Sequence, residues 1–229
     1  SIKAILCARG GYGTVQIIDN IDFNNLLRSP KWIIGYSDVT VLHSHLNKIG
    51  IASLHASMPI NFSKNTKESL ESLRKAIFGI ENIIKAPSNI FNQLGSVKKE
   101  IVGGNLSVLY SLLGSESDLD TTEKILFIED LDEYLYHIDR MMINFQRNGK
   151  FKNLKGMIIG GMNNMHDNDI PFGKTINEII LTYIKEYNFP ICFGFPSGHL
   201  DDNRSLILGV PSLLEVKKKS TKQVNYSLT

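Results

Sequence analysis

Cysteine is scarce, at two in 229 residues. Cys7 and Cys192 each sit in an apolar run that reads as a strand, which excludes a disulfide framework and suits buried thiols of a reducing compartment. Charge of one sign is lacking too, with 25 Lys and Arg against 23 Asp and Glu. The formal charge of +2 gives no electrostatic case for nucleic acid or anionic lipid. The one basic run, Lys217-Lys218-Lys219, reads as a solvated face. No apolar stretch approaches the ~20 residues of a membrane span, and no basic-then-apolar signal segment opens the chain. Internal repeats and low-complexity tracts are missing, and tryptophan occurs once, as Trp32. What remains is 42% hydrophobic and 21% charged, a composition able to bury a core without staples. A cytoplasmic globular protein is the expectation.

Periodicity along the chain alternates between strand and helix. Ile2 to Ala8 reads as a buried strand, followed by the glycine-rich turn Arg9 to Gly13 and an amphipathic segment from Thr14 to about Leu27. Lys31 to Gly35 is a second strand, Ser37 to Lys48 a helix stopping at Gly50, Ile51 to Ser57 a third strand, and Lys67 to Phe78 a helix. Between Ile80 and about Ser96 the pattern loses periodicity and suits a linker. Beyond it, Gly104-Asn105-Leu106 opens a helix, Lys124 to Ile128 is a strand ending in Glu129-Asp130, and His137 to Asn148 is a helix. The strand Gly156 to Gly160, a helix over Thr175 to Tyr187 and the strand Pro190 to Phe193 complete the pattern. The fold class predicted is α/β in two lobes, divided as 1–85 and 86–229.

Three positions at strand ends could carry chemistry. In Trp32-Ile33-Ile34-Gly35-Tyr36-Ser37-Asp38-Val39-Thr40 an apolar strand passes through a glycine into a serine that opens a helix, half of a Gly-x-Ser-x-Gly elbow with Val39 in place of the second glycine. The plain alternative makes Ser37 a helix N-cap and Asp38 a favourable charge at the dipole's positive end. A nucleophilic serine needs a base, and the base an orienting acid. Of the six histidines, His43 and His45 point to different faces of one helix, which argues against a metal pair. His55 lies in a strand, His137 on a helix and His166 in a polar loop. His199, in Pro196-Ser197-Gly198-His199, follows a buried strand, where α/β folds place their chemistry. Glu129 ends an apolar strand and is costly to bury unpaired, so a cleft and a partner are expected; capping of the next helix by Glu129 or Asp130 is the alternative. The turn Arg9-Gly10-Gly11-Tyr12-Gly13 lacks the Lys-Ser/Thr of a P-loop and fits close approach of backbone N–H groups to a ligand oxygen.

Taken in order, Ala8-Arg9-Gly10-Gly11-Tyr12-Gly13, Ile34 to Thr40, Val102-Gly103-Gly104-Asn105-Leu106, Phe127 to Asp130 with Tyr136 to Met141, and Phe195 to His199 resemble the LD-carboxypeptidases, a family that also contains the microcin C immunity peptidase. The resemblance implies a cofactor-free, metal-free serine peptidase. Ser37 would be the nucleophile, His199 the general base, Glu129 the orienter of the imidazole, and Gly11 and Asp38 the donors of oxyanion-hole N–H groups. It also implies a mainly parallel sheet in the nucleophile lobe, a muropeptide or related peptide as substrate, and a homodimer. Family members carry a further strand and helix before the Arg-Gly-Gly-Tyr-Gly strand, so the first lobe is expected to be incomplete. They also usually show a proline where this chain has Leu206-Ile207-Leu208-Gly209. An immunity peptidase acting on a peptide-nucleotide antibiotic is the alternative; it should present an aromatic platform in the second lobe, whereas Trp32 lies in the first. A non-catalytic remnant of the fold is the other.

Overall fold

The computed structural model describes residues 2–218 and 220–225, so Lys219 of the basic run lies outside the described residues, while Lys217 and Lys218 are exposed. Eleven strands among the described residues form two sheets. In the first, β1 (Ala4–Leu6), β2 (Trp32–Gly35) and β3 (Ser53–His55) run parallel, and β9 (Leu206–Leu208) joins β3 antiparallel. The second sheet has the order β4 (Asn82–Pro87), β11 (Ser220–Asn225), β10 (Pro211–Val216), β5 (Gly95–Asn105), β6 (Ile125–Leu131), β7 (Gly156–Asn163) and β8 (Ile191–Cys192). Its half from β5 to β8 is parallel and the other half antiparallel.

The parallel half is buried on both faces, which explains why β6 reads as a continuous apolar run rather than an alternating one. One face packs on α5 (Leu106–Ser111), α6 (Leu135–Arg147) and α7 (Ile176–Ile184). In α6, Ile138, Met141, Met142 and Phe145 recur at helical spacing and are all buried in this cluster. The other face packs Phe127, Ile158 and Phe195 against Leu206 and Leu208 of the first sheet. The remaining helices are α1 (Thr14–Ile17), α2 (Asn24–Arg28), α3 (Thr40–Lys48), which packs on β3 and on β5 of the second sheet, and α4 (Lys67–Ile77), whose Leu73 and Ala76 join Ile34 of β2 and Leu54 of β3.

Several segments differ from their sequence reading: β5, β10 and β11 have no counterpart in it, and β1, read as part of a buried strand, leaves Ile5 and Leu6 exposed. The expected amphipathic stretch Thr14 to Leu27 is broken by a 3-10 turn over Ile18–Asn20 and a link in which the Asp22 carboxylate accepts from the backbone N–H of Asn24 at 2.9 Å. Asp and Asn compete with helix in just this way. The stretch read as a linker contains β4, in which Asn82, Ile84 and Ala86 are buried and Ile83 and Lys85 exposed. The alternation is regular, but it puts a polar residue inside and an isoleucine outside, so hydropathy alone hides it.

Candidate active site

Ser37 lies just beyond the carboxyl end of β2 with φ at +65°, a left-handed conformation that a side chain adopts only when its surroundings impose it. It makes no side-chain cap hydrogen bond, which sets aside its reading as an N-cap. Two glycines make the turn possible. A Cβ on Gly10 would stand 2.8 Å from Ser37 Cβ, and a Cβ on Gly35 would stand 2.9 Å from Val39 Cγ2. The side chain that replaces the elbow's second glycine is thus accommodated by the first.

Glu129 is fully buried on β6, next to Asn105 of β5, at a point where the register with β7 slips so that Gly160 and Gly161 face it. Such a bulge re-aims a side chain out of the ladder. The loop after β8 crosses above, and its Gly198, at φ +114°, lies so close that a Cβ there would meet Glu129 Cβ at 2.7 Å. His199 Nδ1 is then 2.7 Å from Glu129 Oε2, which also accepts from the His199 backbone N–H at 3.2 Å. Asn163 donates to the His199 carbonyl, and the Tyr36 ring meets the imidazole edge-on at 4.8 Å. Burial alone would raise the Glu129 pKa, but the His199 hydrogen bond and the two neighbouring imidazoles, His199 and His55, outweigh it and hold the carboxyl at about 2. For His199 burial acts downward, and the Glu129 hydrogen bond and charge, with the charge of Asp130, raise it above its ordinary value.

Ser37 and His199 line one cleft of about 180 Å³ with Arg9, Gly10, Gly11, Tyr36 and Asn61. Among the described residues no hydrogen bond joins Ser37 Oγ to His199, as is common before a substrate closes such contacts. Asp38 does not simply face the helix dipole. Its carboxylate accepts from the backbone N–H of Thr14 at 3.2 Å and the Thr14 hydroxyl at 2.7 Å, tying the glycine-rich turn to the serine turn. Gly11, at φ +144°, has open space where a Cβ would be. A larger hollow of about 320 Å³ lies at the other end of β2, lined by Lys3, Trp32 and Ile51 among others, and contains no imidazole or carboxylate. Ser37 instead follows the carboxyl end of β2, the side on which open parallel sheets bind ligands.

Sequence reasoning left Asn105 without a role. Its side chain caps α5 by accepting from the Val108 N–H at 3.1 Å and donates to Asp130 Oδ1 at 2.9 Å, while its backbone N–H reaches Thr40 Oγ1 on α3 at 3.0 Å. Asp130, pushed up to about 7 by burial and by Glu129, also accepts from the backbone of Ser107 and Leu131. Asp130 therefore serves the start of α5, which precedes it in the chain, and not the next helix, α6, whose N-cap is Tyr134 without a side-chain cap hydrogen bond. His43, His45, His137 and His166 have separate partners in Gly35, Ser117, Glu133 and Asp132. Among the described residues no group of three or more potential ligands could hold a metal ion.

Fold and cleft together define a two-sheet α/β protein in which a strained serine, an imidazole and a buried carboxylate converge at strand ends. Models of the LD-carboxypeptidase N-terminal and C-terminal domains match residues 1–56 and 98–214, and the chain belongs to the LD-carboxypeptidase family. It is 28% identical to a probable murein peptide carboxypeptidase of Bacillus subtilis over 96% of this chain and 70% of that protein. With the microcin C7 self-immunity protein MccF of Escherichia coli it shares 26% identity over 96% of this chain and 73% of that one. The crystal structure of a muramoyltetrapeptide carboxypeptidase from Oxalobacter formigenes superposes with a TM-score of 0.89 at 27% identity, covering 98% of this chain and 80% of the other.

Proposed function

We propose that this protein is a cytoplasmic serine carboxypeptidase that removes the terminal D-alanine from muropeptides by cutting an L,D peptide bond. Ser37 Oγ attacks the carbonyl carbon as its proton passes to His199 Nε2, while Glu129 on Nδ1 steadies the imidazolium. The backbone N–H groups of Gly11 and Asp38 receive the oxyanion. The C–N bond then breaks, the imidazolium proton leaves with the amine of D-alanine, and water repeats the sequence to free Ser37. Arg9, on the same cleft, is the cation available to the substrate's terminal carboxylate.

One observation carries this reading: the 2.7 Å contact between His199 and a fully buried Glu129, on the cleft to which a serine is turned at φ +65°. A remnant without function has no need to keep a buried carboxylate, an imidazole and a strained serine on one cleft. The names of the murein peptide relatives support the substrate class. For the immunity-peptidase alternative, the single tryptophan gives no support, since Trp32 begins β2 at the end remote from Ser37. The test is mass spectrometry of a muropeptide tetrapeptide incubated with the protein. Loss of one alanine is expected, and an unchanged tetrapeptide beside a cleaved peptide-nucleotide would transfer the assignment. A homodimer is part of the same reading, to be read by light scattering.

A further inference from the structure

Glu129 has two oxygens, and only Oε2 is used by His199. Oε1 is buried without a hydrogen-bond partner, and so is Nε2 of His55. These two unpartnered atoms lie 3.9 Å apart, in side chains with no exposed surface. His55 is the last residue of β3, paired in register with Gly35 of β2 and Leu206 of β9, so it stands beside the strand that delivers Ser37. Glu129 stands on the other sheet. The two atoms therefore face each other across the gap between the sheet carrying Ser37 and the sheet carrying Glu129.

The surroundings decide which nitrogen carries hydrogen. Ser197 Oγ is 2.8 Å from the Arg204 carbonyl, which can only accept, so the hydroxyl proton points there. Toward His55 Nδ1, 3.4 Å away, the Ser197 oxygen is therefore an acceptor only, so both ring nitrogens face acceptors. The carboxylate at Nε2 is the charged and stronger of the two: a bare Nε2 would set its lone pair against it, whereas Nε2–H serves both orphaned atoms. A buried donor and acceptor left unmade are costly, and contacts of this kind tighten when a site closes on substrate. The neighbours do not compete. His43 donates its Nε2–H to the Gly35 carbonyl at 2.9 Å and is held neutral by burial, with its pKa lowered to about 3. Phe127 offers a ring edge at 4.9 Å, and the Tyr36 hydroxyl is turned to Asn61.

We infer that His55 is a positioning residue for the acid: its Nε2–H holds Glu129 Oε1, fixing the carboxylate's direction and sharing its charge between two imidazoles. Resting on the serine peptidase reading above, this makes the Ser37 sheet set the orientation of His199 through Glu129. Without that donor the carboxylate is free to turn, and its charge falls wholly on His199. Turnover drops and the base becomes harder to deprotonate.

The test compares two variants. In His55→Gln the amide nitrogen takes the place of Nε2, while in His55→Asn it reaches toward Ser197 and leaves Oε1 alone. On a muropeptide, His55→Asn is expected to lower kcat about 10- to 100-fold, the range for a misplaced catalytic group. KM should stay within about 3-fold and the midpoint of kcat/KM against pH should rise. His55→Gln should recover most of kcat and the wild-type midpoint. Equal losses in both variants with an unmoved midpoint, or no loss in either, would overturn the inference. If the Asn variant does not fold, nitrogen-15 NMR of the wild-type imidazoles decides, since a bare Nε2 on His55 at pH 7 is incompatible with it. That spectrum is independent of turnover, whereas wild-type activity in Ser37→Ala would sink the peptidase mechanism and leave the His55 contact standing.

Discussion

β6 and β1 are both short, apolar, parallel strands, yet Ile125 to Ile128 of β6 are wholly buried while Ile5 and Leu6 of β1 are 49% and 39% exposed. β6 has β5 and β7 on either side and helices over one face, whereas β1 pairs, among the described residues, with β2 alone. Glu129 thus stands in the most enclosed part of the molecule and Ser37 on the smaller sheet. A carboxylate that orients an imidazole gains from a dry, fixed setting.

The sharpest way to break the comparison is to remove the groups that meet across it. Ser37→Ala and His199→Ala are each expected to lower turnover of a tetrapeptide by about 10⁵-fold or more, with the double variant scarcely worse, because such groups act as a unit. Additive losses in the double variant would show that the two do not share a step. Glu129→Gln keeps the shape but loses the charge that stabilises the imidazolium. A loss of about 10³- to 10⁴-fold is expected, measured as kcat on protein shown by circular dichroism to be folded.

Glycines separate the two regions next. A Cβ on Gly103 would fall 1.9 Å from the Phe127 carbonyl oxygen, inside the second sheet and at φ +134°. Gly103→Ala is expected to cost about 4 kcal/mol or more in urea unfolding, because backbone strain and a hard clash add. Gly11→Ala meets nothing but its own positive φ, so about 1–2 kcal/mol is expected, together with a loss of kcat if its N–H serves the oxyanion. Equal destabilisation in the two variants would mean that the first sheet is as tightly determined as the second.

Much of this was legible in the sequence, for a physical reason that also marks the limit. Ser37, Glu129 and His199 each follow or end an apolar run, so their strand-end placement could be read locally, whereas the close approaches at Gly10, Gly35 and Gly198 are to side chains that no local signal names. Nothing local revealed that Glu129 stands opposite a bulge or that Asn105 and Asp130 join α5 to β6, since these depend on which strands become neighbours. His55 read as a strand residue and nothing more. Its meaning lies in an atom of the other sheet, 74 positions further along the chain. β4 was missed because burial there goes to Asn82, which donates to the Ser72 hydroxyl at 2.8 Å, and hydropathy cannot foresee a satisfied polar side chain.

The smallest expected effect concerns pH, and its sign can be worked out. In the proposed mechanism His199 must be neutral to accept the serine proton, so kcat/KM should rise with pH through its titration. Burial works to lower that value, but Glu129 and, to a smaller degree, Asp130 place it above the ordinary 6.5. A folded-state value above the unfolded one means that His199 contributes stability below about pH 6.5 and loses it as pH climbs through the folded value. Asp130, raised to about 7, acts in the same direction, because the fold resists its ionisation from about pH 4 upward. Glu129 is the opposite case, lending stability above about pH 4.5 that disappears as pH falls toward 2. Across neutrality, activity should therefore grow while these two groups withdraw stability. Asp130→Asn isolates the smaller contribution. The variant keeps one acceptor oxygen but sets an amide against the Ser107 N–H, so a cost of about 1–3 kcal/mol is expected. With the Asp130 charge gone, the midpoint of kcat/KM should fall by a fraction of a pH unit, and melting temperature should decline less steeply between pH 5 and 8. A midpoint that rose instead would show that Asp130 acts on His199 through the position of Glu129 and not through its charge.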